Sequence, residues 1–291
     1  MTKKRLDIDW SKCNTEDIKP ALKRYANYLK GRGFRESTIE LYVRCLKSYL
    51  EFVQTDMPTE EDSIKFNESL LEKNLSRSAI NNSSFAVINY HKMLGKSINI
   101  PIMKRDDEIP YYFDEDDVLR IFSVCHNLKH LAMLQTLFYG CLRASELCNL
   151  DDRDLDLKNL TIRVREGKGG RDGIVFISNE CAATLKRYLQ IRPPLEVDGL
   201  CPLFYTDFGG RWGRISVHRM FVTYKKKAGV KKPGAVHVFS RHSPATIMVA
   251  RGCDIRIIKE LLRHKDIRTT LRYAHVADST KRQMYEEYLV L

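Results

Sequence analysis

"INIPIMKRDDEIPYYF", residues 98 to 113, divides the chain. Two prolines, a mixed charge cluster and no apolar periodicity suit neither helix nor strand, so the stretch reads as a linker between two folded parts. On its N-terminal side the sequence reads as helices and connections only. "DIKPALKRYANYLKGRGF" carries Ile18, Leu22, Tyr25, Ala26 and Leu29 at helical spacing and ends at Gly31 and Gly33, an amphipathic helix with a glycine stop. "RESTIELYVRCLKSYLEFV" repeats the pattern with Ile39, Tyr42, Val43, Leu46, Tyr49, Leu50 and Val53. "EEDSIKFNESLLEKN" and "SRSAINNSSFAVINYHKML" supply two more helices, which makes a four-helix bundle with basic polar faces.

On the C-terminal side "DEDDVLRIF" places acidic residues in a first helical turn, favourable against the positive end of the helix dipole. "LTIRVREGKGGRDGIVFI", residues 160 to 177, alternates Ile162, Val164, Val175 and Ile177 around a glycine-rich turn, the pattern of a β-hairpin. "ECAATLKRYLQIR", "RISVHRMFVTYKKKAG" and "PATIMVARG" return to helix. The expected fold is mainly α with two domains, residues 1–104 and 105–291, the linker lying at about 98–113. The second domain is expected to be mostly helical with one small antiparallel β-sheet.

The bulk numbers agree with that reading. A chain of 291 residues is about two domains long. Apolar residues make up 43% of it, and no apolar run approaches the roughly 18–20 residues of a membrane span. "MTKKRLDIDWSK" has no apolar stretch behind its charges, so no secretory signal is expected there and the expected location is cytoplasmic, away from membranes. The eight cysteines show no zinc-knuckle spacing and read as reduced core residues. A net charge of +12, about +6 on each side of residue 106, favours a polyanionic partner gripped by both domains. Two merely soluble domains fit that charge as well.

Four stretches carry candidate chemistry, and each has an ordinary reading. In "FYGCLRASELCNL", Arg143 and Glu146 lie three apart, on one helical face, as in a helix salt bridge. The hairpin turn "EGKGGRDG" holds Lys168 and Arg171, and basic turns are usually just solvated. In "VHVFSRHSPATIMVARG", Ser243 reads as an N-cap with Pro244 at the first helical position, which leaves Arg241 and His242 just outside a helix N-terminus. In "LLRHKDIRTTLRYAHV", residues 261 to 276, Tyr273 alone reads as a core aromatic near a short helix that begins around Asp266.

Together, however, two arginines, a lysine, histidines and a tyrosine are the parts for metal-free phosphoryl transfer: cations for the phosphate, proton-transfer groups and a nucleophile. At these residues the sequence resembles the tyrosine recombinases, the phage-integrase-type site-specific recombinases, with Xer-like and compact integrase members most similar. "GCLRASELCNLDDRDLDL" is similar to the family's first arginine box, "REGKGGRDGIVFI" to its hairpin lysine segment, and "RHSPATIMVARGCDIRIIKELLRHKDIRTTLRYAHV" to its long second box. The N-terminal bundle resembles the family's SAM-like core-binding domain.

The resemblance implies that Arg143 and Arg241 hold the non-bridging oxygens of a scissile phosphate and Tyr273 is the nucleophile. It gives Lys168 the departing 5′ oxygen and His264 a hydrogen bond to the phosphate. It makes His237 an aid to proton transfer at the tyrosine and His242 a structural support. The product is a 3′-phosphotyrosyl link that a 5′-hydroxyl can reverse, with no metal, ATP or other cofactor. The implied partners are double-stranded DNA with inverted-repeat sites and three further copies of the chain, a homotetramer on two sites. "STKRQMYEEYLVL" is similar to the family's tail helix that docks on a neighbouring protomer, and its Met284, Tyr285, Tyr288 and Leu289 need a partner either in cis or in trans. The alternatives are a type IB topoisomerase-like relaxing enzyme, a catalytically inactive DNA-binding protein, and a basic helical interaction protein.

Two positions depart from the family. His237 lies four residues before Arg241 instead of three, which a one-residue insertion explains if His237 precedes the helix. Arg263 stands where the family has a glycine closing a helix in the left-handed conformation, and a phosphate contact is the expected compensation. On that expectation Arg263→Gly lowers DNA affinity and its salt dependence.

Overall fold

Helices form wherever the apolar stripes recur. In the computed structural model, which describes residues 19–104, 111–165, 172–197, 199–273 and 285–286, the chain divides into two compact units, Met1–Asp106 and Asp107–Leu291.

The first unit holds α1 (Lys19–Gly31), α2 (Glu36–Val53), α3 (Glu60–Glu72) and α4 (Arg77–Met93). Thr59 and Asp62 form a reciprocal capping box at the start of α3, and the Ser76 hydroxyl accepts the Ala79 N–H at the start of α4. The stripes meet in a core of Tyr25, Leu29, Leu46, Tyr49, Leu50, Val87 and Tyr90. Residues 98 to 103, expected as linker, in fact pack on this unit. Ile100 is buried and Ile98 and Met103 lie against the core, while the Asn81 amide bonds both the N–H and the C=O of Met103 at 2.9 Å. Ile98, Ile100 and Met103, on either side of Pro101, give the segment surface to bury, which its lack of periodicity conceals.

The second unit opens with Phe113, fully buried, and α5 (Glu115–Ser123), capped by Asp114. Helix α6 (Leu128–Tyr139) is buried on nearly every side and forms the centre of the unit. After α7 (Ala144–Cys148) comes a three-stranded antiparallel sheet of β1 (Leu155–Asp156), β2 (Thr161–Val164) and β3 (Gly173–Phe176). Ile162 pairs with Val175, and the expected inward residues Ile162, Val164, Val175 and Ile177 are all buried. Strand β1 is too short for an alternation to show in sequence. Arg165, just after β2, pairs with Asp154 at 2.7 Å and with Asp151, fixing the base of the hairpin. The hairpin's tip, with Lys168 and Arg171, lies outside the described residues.

Helices α8 (Asn179–Ile191), α9 (Arg214–Lys227), α10 (Ser243–Ala250), α11 (Ile255–Leu261) and α12 (Arg268–Leu271) complete the unit. Besides its main core, a smaller apolar cluster of Cys141, Ala245, Val249, Ile258, Leu262 and Tyr273 joins α10 and α11 to the end of α6. Among the described residues no helix is long and apolar enough to cross a membrane.

Candidate active site

A π-helical turn, Val238–His242, runs directly into α10. Ser243 has helical dihedrals (φ −63°, ψ −53°), so it is not the N-cap its position before Pro244 suggests. Pro244 cannot donate to the carbonyl four residues back, and the wider turn ahead of it lets the Ser243 N–H reach Val238 instead. The Ser243 hydroxyl accepts the Phe113 N–H at 2.8 Å and donates to the Val238 carbonyl at 3.0 Å. Arg241 and His242 therefore lie inside a continuous helix, not before one. The extra residue between His237 and Arg241 is taken up in this turn. His237 is already helical (φ −66°, ψ −37°) rather than ahead of the helix. The i→i+5 turn brings its ring edge-on to that of His242, with centroids 4.8 Å apart.

Arg241 is 1% exposed. Its guanidinium donates to the Cys141 carbonyl at 2.7 Å and to the Leu262 carbonyl. Cys141 follows the end of α6 and Leu262 caps α11, so the cation sits at the negative ends of two helices and satisfies carbonyls that helix ends leave open. Burial, followed by the nearby charges of Arg143 and Arg263, pulls its pKa down to about 10, which leaves it charged at neutral pH. Its Nε is buried without a hydrogen-bond partner among the described residues.

Arg143 is the extended residue before α7 (φ −76°, ψ 150°), not a member of its helical face. It still meets Glu146, because the Glu146 carboxylate accepts the Arg143 N–H at 2.8 Å in a capping geometry and its Nη1 at 2.6 Å. Arg263 Nη2 donates at 2.6 Å to Oε2, the oxygen that also accepts the Arg143 N–H. Burial works to raise the Glu146 carboxyl, but Arg263 and Arg143 outweigh it and hold the group below the usual range. Arg263 closes α11 with φ +53°, the left-handed conformation expected at this glycine position, at a cost of about 1 kcal/mol. In the structure its compensating partner is the buried Glu146.

Tyr273 is 2% exposed, and its hydroxyl lies 2.6 Å from His242 Nδ1. Burial pushes the phenol up to about 12 against the opposing pull of Arg241 and Arg272. Burial and the neighbouring His237, Arg272 and Arg241 push His242 down to about 4, so it is neutral at physiological pH. His264 Nδ1 lies 2.9 Å from the buried Thr270 hydroxyl. Burial and the cations Arg241 and Arg143 push that ring down to about 3. Arg143, Arg263 and His264 line a cleft of about 770 Å³ with Gly173, Lys259 and Lys265.

The structure thus gathers five of the six sequence candidates, Arg143, His237, Arg241, His264 and Tyr273, while Lys168 lies outside the described residues. The imidazole in contact with Tyr273 is that of His242, which sequence reasoning had assigned to structural support. The signal for it was its place next to the candidate Arg241 in "SRHS", a second imidazole beside the charged site.

Residues 111–280 match the phage integrase family. A tyrosine recombinase XerA of Pyrococcus horikoshii is 33% identical over 272 residues, 91% of this chain and 92% of the relative. A tyrosine recombinase XerD of Oceanobacillus iheyensis is 27% identical over 294 residues, 92% of this chain and 97% of the relative. Among solved structures, XerA recombinase aligns with a TM-score of 0.56 at 30% identity, covering 94% of this chain and 99% of the other. XerH bound to a palindromic difH substrate in a post-cleavage complex shares the fold, with a TM-score of 0.72 at 18% identity over 91% of this chain and 84% of the other.

Proposed function

The chain belongs to the phage integrase family and is a tyrosine recombinase, and on that premise we propose that Tyr273 attacks a scissile phosphodiester of double-stranded DNA under the direction of Arg143, Arg241, His242 and His264. The observation that carries this reading is the buried Tyr273 hydroxyl held 2.6 Å from a neutral imidazole. With its proton on Nε2, His242 accepts the phenol at Nδ1 and takes its proton as the P–O bond forms. A bound phosphate brings negative charge beside the imidazole, which raises its pKa and narrows the gap to the phenol. Arg143 and Arg241 carry the charge of the pentavalent transition state, and such preorganised donors are each worth about 10²–10³ in rate. With Nδ1 accepting the Thr270 hydroxyl, His264 has its Nε2–H available for a phosphate oxygen. Lys168 protonates the departing 5′ oxygen, and His237 supports the ring of His242.

The product is a 3′-phosphotyrosyl link with a free 5′-hydroxyl. Attack by the 5′-hydroxyl of a second strand on that link releases Tyr273 and rejoins DNA, so bond energy is conserved and strands are exchanged between two sites. The finer reading is a homotetramer, two copies on the inverted repeats of each of two sites, with residues 279–291 docking on a neighbouring copy. Relaxation by a single copy is the disfavoured alternative, since the full-length relatives are recombinases.

Covalent capture tests the reading. The protein is incubated with fragmented genomic DNA of its own source, denatured, and the attached strands are sequenced. A duplex of the recovered sequence, nicked so that the 5′-hydroxyl fragment escapes, should accumulate adduct with the wild type and none with Tyr273→Phe. No adduct from any fragment would overturn the reading.

A further inference from the structure

Among the described residues, Arg263 reaches the Arg143–Glu146 pair from the end of α11 rather than from the pair's own turn. Three features show that the site is built around it. Its backbone holds a left-handed conformation that a glycine would adopt without strain. Its stem lies over Gly173, the first residue of β3, where a Cβ would come within 2.7 Å of Arg263 Cδ. Its guanidinium ends on a carboxylate that is 7% exposed and already engaged by Arg143. Glu146 and Arg143 alone would form a neutral pair, poorly suited to draw a phosphate into the cleft. With Arg263 included the trio is positive, and Glu146 is held from two sides.

We propose that Arg263 is a positioning residue for strand cleavage: by holding Glu146 it fixes the guanidinium of Arg143 in the orientation that receives the scissile phosphate. This rests on the reading above that Arg143 binds that phosphate. Its Nη2 is taken by Glu146 and its Nε and Nη1 are buried, so although its stem borders the cleft the guanidinium is turned to the carboxylate rather than offered to a phosphate. Truncation therefore acts on the rate of cleavage and leaves DNA affinity alone. Burial tends to neutralise Glu146, and the charge of Arg263 is the strongest influence against it. Without that charge, the hold on Arg143 weakens.

A double-mutant cycle on the nicked duplex recovered by covalent capture tests this, with single-turnover adduct formation and DNA binding measured separately. Arg263→Gly should slow adduct formation at least tenfold, with Kd within twofold of wild type and an unchanged salt slope. In a Glu146→Gln background the same substitution should cost less than threefold, and Arg263→Lys should recover most of the wild-type rate. Arg263→Gln, which keeps the stem against Gly173 and removes the charge, gives the same cycle if the glycine variant does not fold. A rate within twofold of wild type, an equal loss in both backgrounds, or a salt slope reduced by about one phosphate would each overturn the proposal. If the wild type itself forms no adduct, the proposed function fails and this inference falls with it. An adduct that is indifferent to Arg263 sinks the inference alone.

Discussion

Each unit of the molecule buries a tyrosine against a histidine, and the two pairs are built differently. In the first unit the Tyr49 hydroxyl lies 2.7 Å from Ser63 Oγ and 3.1 Å from His91 Nε2, and Ser63 and His91 are themselves 3.0 Å apart. In the second, Tyr273 meets His242 at 2.6 Å. Burial pushes both phenols up to about 12. The charges around them have opposite effects: Asp62 raises Tyr49 further, whereas Arg241 and Arg272 pull Tyr273 down. A phenolate is thus opposed on every count at Tyr49 except the Ser63 bond, and is favoured by two guanidiniums at Tyr273. A buried Tyr–His bond alone says nothing about chemistry; the sign of the surrounding charge is what favours Tyr273 over Tyr49 as the proposed nucleophile.

Four experiments would break or sharpen that contrast. The largest effect is expected from Tyr273→Phe, which should abolish the covalent adduct, while Tyr49→Phe should leave its rate within twofold; adduct from the Tyr273 variant would end the distinction. Arg241→Ala should slow cleavage by about 10²–10³, as loss of a preorganised charge does. It also strips the Cys141 and Leu262 carbonyls of their donor, so denaturant unfolding should show a loss of about 1–3 kcal/mol. His242→Ala should slow cleavage by about 10², whereas His91→Ala should lower only stability, by about 1–3 kcal/mol. The two rates, measured on one duplex, compare the pairs directly.

The remaining effect is on stability as a function of pH. Burial holds His91, His242 and His264 below the ordinary histidine value. The unfolded chain takes up these protons below about pH 6.5, and the folded chain does not until about 4 for His242 and about 3 for His264. The contribution of these rings to folding stability is therefore fully present above pH 6.5 and declines as pH falls from there through 4. Thermal unfolding should follow it at roughly 2–4 °C for each kcal/mol lost, and His242→Phe should flatten part of the slope. A melting temperature that is constant between pH 7 and 4.5 would show that these rings are not held neutral.

Periodicity made most of the architecture readable. The stripes of α1 and α2 and the alternation of Ile162, Val164, Val175 and Ile177 pack into the cores they predict, since burial of that face is what selects the pattern. The errors have local causes. The linker was overextended because Ile98, Ile100 and Met103 pack without a repeating period. Arg143 and Glu146 meet in a capping turn as readily as on a helix face, so their spacing could not tell the two apart. Ser-Pro reads as a helix start, but here a wide turn precedes it, and it is His242 that meets Tyr273. The left-handed residue at 263 was readable from the glycine it replaces. Its partner Glu146, 117 positions away, was not.

The π turn confines an insertion. A residue added to a loop shifts whatever follows, and one added to an ordinary helix rotates everything beyond it by about 100°. Here the surplus is held as slack within a single turn between His237 and Ser243, where Phe239 uses the room to pack against Phe122, Phe138 and Phe221. Downstream of that turn α10 continues without a break, so a surplus residue held there need not displace the proposed reactive groups.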